Sequence, residues 1–309
     1  SKKDNIRVLM WMRNKDKARE INQLRENLSY LPGIKLPKNV YTTANLQEAL
    51  RSSNKLVLAV PSHAVRSICQ QVRDYHEKKD FIILSVVKGL DKVSRKRISL
   101  TVSNILNIPL EHIAVLSGPN FAVELVQNRP SVTIIASKNP LISDLFKKVL
   151  KNDRLIIYTT DDVGGVEICS VFKNIVAIAI GIVDGLGFGD NTRGAVFSLG
   201  MKEILEIGTH IFKVKPETIF GPACLGDAIT TAFSYKSRNY LLGLLLAKKV
   251  SSIELNNSTF LSEGRNNIRI VRELVKKYEI KTPIINFVYN IINGMNAYHA
   301  FFQLWEDIK

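Results

Sequence analysis

A lysine and an asparagine stand side by side in the middle of the apolar stretch VEICSVFKNIVAIAIGI, residues 166–182. An ammonium enclosed by valine, isoleucine and alanine sheds water, and desolvation lowers its pKa unless a partner or ligand compensates. Lys173 is then a solvated residue on a polar edge or a group able to release a proton near neutral pH. Helical spacing places Glu167, Ser170 and Asn174 at i, i+3 and i+7, with Lys173 three residues beyond Ser170 and the small residues Ala177 and Gly181 continuing the stripe. On periodicity alone this narrow polar face suits the wall of a cleft and a solvent-facing edge equally well.

Other residues of the right type lie where chains usually present them. FIILSVV runs into Lys88-Gly89-Leu90, a cation at the tip of an expected strand followed by a glycine that permits a tight turn. IAVLSGPNFAVEL ends an expected strand in Ser117-Gly118-Pro119 and opens a helix near Asn120, where free backbone N–H groups favour an anion. Both also read as an ordinary solvated loop and an ordinary strand-to-helix turn. Asp227 and Thr231 are four residues apart and can share a helix face, and Ser237-Arg238-Asn239 places an N-cap serine and an arginine at a helix start, a geometry that suits phosphate.

The elements that must position these groups change character near residue 160. Before it, IRVLMW, NVYTT, KLVLAV, FIILSVV, IAVLS, SVTIIAS and LIIYTT read as strands alternating with helical patterns, which implies a parallel sheet with helices on both faces. After it, helical patterns follow one another with Gly and Pro between them. The expected fold is an α/β Rossmann-like domain over residues 1–162 followed by an all-α domain over 163–309. Ligands of open α/β sheets bind beyond the carboxyl ends of the strands, where Lys88 and Ser117-Gly118 fall.

Composition narrows the class. The 309 residues, 46% of them hydrophobic, can bury a sizeable core. The net charge of +15 is spread over what read as polar helix faces, without recognition-helix, zinc-finger or RNP-type signatures, so nucleic-acid binding is not expected. The longest apolar run, IVAIAIGIV, is shorter than the ~20 residues a bilayer requires, so no membrane insertion is expected. Three isolated cysteines and five scattered histidines show no disulfide or metal-ligand spacing, and a reducing cytoplasm fits.

The succession YLPGI, KGL, LSGPNFAVEL, VEICSVFKNIVAIAIGI, GDNT, LGDAITT, SRN and SEG, in this order over nearly the whole chain, resembles NAD(P)-dependent glycerol-3-phosphate dehydrogenase of the bacterial type. The resemblance implies interconversion of dihydroxyacetone phosphate and sn-glycerol 3-phosphate for glycerophospholipid synthesis, by a homodimer. It implies Lys173 as the catalytic acid/base. Lys88, Gly118, Asn120, Asn174, Asp227, Thr231, Ser237, Arg238 and Asn239 would join it around the substrate. On the cofactor side it implies Tyr30, Lys88, Ala122, Arg238, Leu261 and Glu263.

Two features depart from that pattern. The family opens with a strand and a G-x-G-x-x-[GA] turn for the pyrophosphate. This sequence starts instead at SKKDNIRVLMWMRN, which aligns with the second strand and suggests about 20 missing N-terminal residues, the size of a βα unit. Asn120 stands where the family usually has serine. At the end of that strand, Met12-Arg13-Asn14 offers an arginine for a ribose 2′-phosphate in place of an acid for the 2′-OH, which favours NADP over NAD. The alternatives are a related 3-hydroxyacid or ketopantoate-type dehydrogenase, an inactive truncated paralogue acting as a binding protein, and a basic RNA-binding protein.

Overall fold

The computed structural model describes residues 6–75, 80–248 and 262–309. The chain opens with β1 (Val8–Trp11), α1 (Lys15–Leu24), the short strands β2 (Glu26–Asn27) and β3 (Leu31–Lys35), then β4 (Val40–Thr43) and α2 (Leu46–Ser52). Next come β5 (Lys55–Leu58), α3 (Val65–Asp74), β6 (Ile82–Ser85), α4 (Ile98–Leu106) and β7 (Ile113–Ser117). After these follow α5 (Ala122–Val126), β8 (Ser131–Ser137), α6 (Pro140–Leu150) and β9 (Leu155–Thr160). Strands 5 to 9 hydrogen-bond in chain order into one sheet, while β1 and β4 form a separate parallel pair with Val8 opposite Val40.

Each expected strand is present, and two details differ from the sequence reading. The YLPGI stretch belongs to the β2–β3 hairpin, and β8 runs antiparallel to β7, with Ala114 opposite Ser137. The reversal follows from α5, whose five residues cannot cover the sheet as the crossover helix of a parallel connection does. α3 and α4 bury Val65, Cys69, Ile98 and Val102 with Phe81 and Ile83, and α6 covers Leu84, Ile135 and Ile157 with Ile142 and Phe146.

From Val163 onward the described chain is helical. It runs through α7 (Val163–Gly185), α8 (Asp190–Phe212), α9 (Pro216–Ile219), α10 (Asp227–Ala232), α11 (Arg238–Ala247), α12 (Glu263–Lys276), α13 (Pro283–Ile292) and α14 (Ala297–Asp307). α7 is the axis of this half. It is long and apolar enough to cross a membrane by length and composition, and here its apolar window is wholly buried against α8, α10, α11, α12, α13 and the sheet. Each isoleucine it buries contributes ~1.5–3 kcal/mol, which explains why its sequence is apolar outside the stripe of Glu167, Ser170, Lys173 and Asn174. Its first turn is held by Asp162, which accepts from the Gly165 N–H at 2.9 Å, the Lys215 N–H at 3.0 Å and the Thr218 hydroxyl at 2.8 Å.

α7 and α11 cross so closely that no side chain fits between them. A Cβ on Gly181 would lie 2.1 Å from the Tyr240 carbonyl oxygen, and one on Gly243 would lie 2.2 Å from that of Ile178. Both obstacles are backbone, which cannot rotate aside as a side chain can. Gly181→Ala is therefore expected to cost about 1–3 kcal/mol or more, read as a lower urea midpoint in equilibrium unfolding; an unchanged midpoint would show that the crossing yields.

Candidate active site

The carboxyl ends of β6 and β7 meet the middle of α7 and the start of α10. Lys173, two turns into the buried part of α7, extends its amine to the Asp227 carboxylate, with 2.6 Å between Nζ and Oδ1. It also donates to the Thr231 hydroxyl at 2.8 Å. The Thr231 hydroxyl donates in turn to the Asp227 carbonyl at 2.6 Å, so the spacing of four on α10 fixes both partners of the lysine. Lys88, at the tip of β6, reaches the second oxygen of the same carboxylate at 2.8 Å. Ser117, the last residue of β7, brings its hydroxyl to 3.5 Å from that oxygen.

Two ammoniums thus share one carboxylate in a place largely closed to water. Lys173 and Asp227 are buried and Lys88 keeps 29% of its side chain exposed, so the cluster opens on the Lys88 side. Desolvation is the main force on Lys173, and repulsion from Lys88 adds to it; attraction to Asp227 only partly offsets them, leaving its pKa at about 7. Burial works to raise the Asp227 carboxyl, but the ammoniums of Lys88 and Lys173 outweigh it and hold the group below its ordinary value. A lysine poised to exchange a proton near neutral pH, oriented by a permanently ionised carboxylate, is a general acid/base arrangement.

The rest of the polar stripe on α7 faces neither solvent nor this cluster. Glu167 is buried and accepts from Arg97 at 2.9 Å, from the Ser99 N–H at 2.7 Å and from the Ser99 hydroxyl at 2.6 Å, which ties α7 to the start of α4. Burial pushes its carboxyl up against the pull of Arg97 and Ser99. Asn174 donates to the Ser170 carbonyl at 3.0 Å and accepts from Asn239 at 2.9 Å. Asn239 itself accepts from the Ser262 hydroxyl at 2.6 Å and the Gly264 N–H at 3.0 Å. An amide chain therefore joins α7, α11 and the start of α12 directly behind Lys173.

The remaining residues singled out in the sequence fall into four groups. Ser237 caps α11 by accepting from the Tyr240 N–H, and Arg238 is exposed in that helix's first turn. Gly118, with φ of +149°, makes the turn after β7, where a Cβ would lie 2.9 Å from the Val132 carbonyl. The Asn120 amide donates to Thr133 at 2.9 Å and accepts from Ser131 at 3.3 Å, which ties it to β8, and Ala122 is exposed at the start of α5. Arg13 is exposed after β1, and Tyr30 is 75% exposed in the β2–β3 turn with the Lys17 ammonium 4.6 Å from its ring centroid. Glu263 is half-buried at the first turn of α12, and Leu261 lies outside the described residues. Ser117 was not singled out as a ligand; its one signal in the sequence is its place at the end of a strand.

Comparison with known proteins points to one family. The family models described as NAD-dependent glycerol-3-phosphate dehydrogenase N-terminus and C-terminus match residues 2–142 and 162–303. The chain is 35% identical to glycerol-3-phosphate dehydrogenase [NAD(P)+] of Clostridium tetani, over 99% of this chain and 87% of that one. It is 36% identical to that of Staphylococcus carnosus, over 92% and 86%. The crystal structure of glycerol-3-phosphate dehydrogenase from Coxiella burnetii superposes with a TM-score of 0.90 at 31% identity, covering 97% of this chain and 91% of that one.

Removing the shared carboxylate should leave two facing ammoniums without a counter-charge. Asp227→Asn is expected to destabilise the fold by about 3–5 kcal/mol where both lysines are charged. Because Lys173 sheds its proton near pH 7, the loss should be larger below that pH than above it. Urea unfolding across pH checks this, and a pH-independent loss would contradict the charge argument.

Proposed function

Because the chain belongs to the NAD-dependent glycerol-3-phosphate dehydrogenase family, we propose that it interconverts dihydroxyacetone phosphate and sn-glycerol 3-phosphate with Lys173 as its acid/base. The observation that carries this reading is the buried Lys173–Asp227–Lys88 cluster at the carboxyl ends of β6 and β7, the place where an open α/β sheet binds its ligands. Lys173 delivers a proton to the substrate's carbonyl oxygen as negative charge develops there, and takes it back in the reverse direction. Asp227 and Thr231 aim the amine. Lys88, on the open side, offers positive charge to the same oxygen, and Gly118 and Asn120 shape the turn beside it.

Arg238 and the N-terminus of α11 suit the substrate phosphate, with Ser237 capping that helix and Asn174 and Asn239 bracing the wall behind it. Holding the phosphate there orients the carbonyl toward the sheet. The nicotinamide dinucleotide, when bound, supplies or accepts the hydride. Its reactive end suits the rim made by Lys88, Ala122, Arg238 and Glu263, and its adenosine end suits Arg13 and Tyr30. This set of cations and one helix-start carboxylate fits a phosphate-rich diol ligand, while no G-x-G-x-x-G turn occurs among the described residues. Arg13 supports NADP as the better cofactor.

The division falls at residue 162, with the nucleotide-binding part over 1–162 and the helical substrate part over 163–309. The activity supports a role in supplying glycerophospholipid synthesis in the cytoplasm, and the family supports a homodimer. Enclosure of α7 by its neighbours supports the absence of membrane insertion. Family membership weighs against the ketopantoate-type, binding-protein and RNA-binding alternatives.

Spectrophotometric oxidation of NADPH or NADH with dihydroxyacetone phosphate tests the reading, and absence of turnover would refute it. Lys173→Ala should lower kcat by about 10²–10⁴-fold with little change in dinucleotide affinity. Since the lysine pKa is about 7, ketone reduction, which needs the protonated amine, should fall as pH rises through that value. Alcohol oxidation, which needs the free base, should fall as pH drops through it. Comparing kcat/KM for the two cofactors should favour NADPH.

A further inference from the structure

One group beside the site plays no part in the chemistry described above. Ser62 stands just beyond β5, buried to 3% exposure, at the same end of the sheet as Lys88 and Ser117. Its hydroxyl donates to Glu263 Oε2 at 2.7 Å and its N–H to Glu263 Oε1 at 3.3 Å, joining positions 201 residues apart. Both carboxylate oxygens of the first residue of α12 are therefore engaged by a single residue of the turn beyond β5.

The turn that carries Lys88 is packed onto this pair. A Cβ on Gly89 would lie 2.5 Å from Ser62 Cβ and 3.2 Å from Glu263 Oε2, so only a glycine lets the turn settle there. One residue on, the Leu90 N–H donates to Asn267 Oδ1 at 2.9 Å, and the Asn267 amide donates to the Glu263 carbonyl at 2.7 Å. The turn is thus held on one side by the Ser62–Glu263 pair and on the other by Asn267, both anchored in the first two turns of α12. Lys88 leaves this turn to meet Asp227 on α10.

We propose that Ser62 is a positioning residue: by clamping Glu263 it locks the Lys88–Gly89–Leu90 turn against α12 and so sets where the Lys88 ammonium stands relative to Asp227 and Lys173. The inference rests on the reading of Lys88 and Lys173 as the working pair. It also gives Glu263 a task besides facing the dinucleotide. An exposed carboxylate with a single contact could swing toward a ligand; this one is held at both oxygens and serves as a fixed post for the turn.

The charged groups facing the Lys173 amine are Lys88 from the β6 turn and Asp227 from α10. Loosening the turn weakens the repulsion from Lys88, so the Lys173 titration should move upward. The test is the NMR titration of Lys173 in protein carrying 13C-labelled lysine, assigned with Lys173→Ala, for the full chain and for Ser62→Ala and Glu263→Gln. The expected result is an upward displacement in both variants, with the double variant no further displaced than Ser62→Ala alone, as residues of one unit are not additive.

In the assay, Ser62→Ala should raise KM for dihydroxyacetone phosphate about three- to tenfold, the worth of one ordinary hydrogen bond, and shift the pH profile of reduction the same way. A Lys173 titration unmoved in Ser62→Ala, whether or not its melting temperature falls, would overturn the proposal and leave Ser62 a purely structural contact. Failure of the unaltered chain to reduce dihydroxyacetone phosphate would refute the enzymatic reading, while the titration would still decide the role of Ser62.

Discussion

The Asp227 carboxylate, shared by the Lys173 and Lys88 ammoniums, is the contact on which the rest of this structure depends. Two like charges facing each other in a nearly dry place repel strongly, and a lysine alone in an apolar helix would simply lose its proton. One carboxylate, engaged at both oxygens, holds the pair together while leaving Lys173 only loosely attached to its proton. Desolvation from α7 sets the direction of the shift, and Asp227 keeps it from going further.

That balance explains the architecture around it. The apolar surface of α7 must be covered on every side for Lys173 to be desolvated, and the close crossing with α11, glycine against glycine, brings the covering helix to within backbone contact. The same crossing places Asn239 against Asn174, so the packing that dries the lysine also sets the wall behind it. Thr231 and Asp227 come from one short helix, so the two groups that orient the amine move together. On the sheet side, Glu167 with Arg97 and Ser99 ties the start of α7 to α4, and Glu263 with Ser62 ties α12 to the loop beyond β5. A buried ion pair such as Arg97–Glu167 adds little net stability over apolar packing, and here both contacts give orientation between the two halves of the chain.

Much of the scaffold was legible in the residues. Strands β1 and β4–β9 announced themselves as short β-branched runs, and the later helices by their 3.6-residue pattern and their caps, such as Ser237 before α11. The β2–β3 hairpin was not, because a two-residue strand and a partner containing Pro32 and Gly33 show no alternation. The direction of β8 was not either: whether a strand runs parallel depends on what the preceding segment can cover, and α5 proved too short. At the site, residue type flagged Lys173, and position after a strand flagged Lys88. Periodicity left the stripe of α7 open between cleft and solvent because a helix pattern carries no information about what surrounds it.

The sequence by itself determined which groups could do chemistry: a lysine in an apolar helix, a lysine at a strand tip, an aspartate and a threonine one helical turn apart, an arginine at a helix start. Tertiary structure alone decided that they meet. Lys88 finds Asp227 across 139 residues, Lys173 finds Thr231 across 58, and Ser62 finds Glu263 across 201. Local patterns reach only a turn or two along the chain. The pKa of a lysine, by contrast, depends on desolvation and on charges within a few ångströms in space, and those are supplied by elements far apart in sequence that only the packed core brings together.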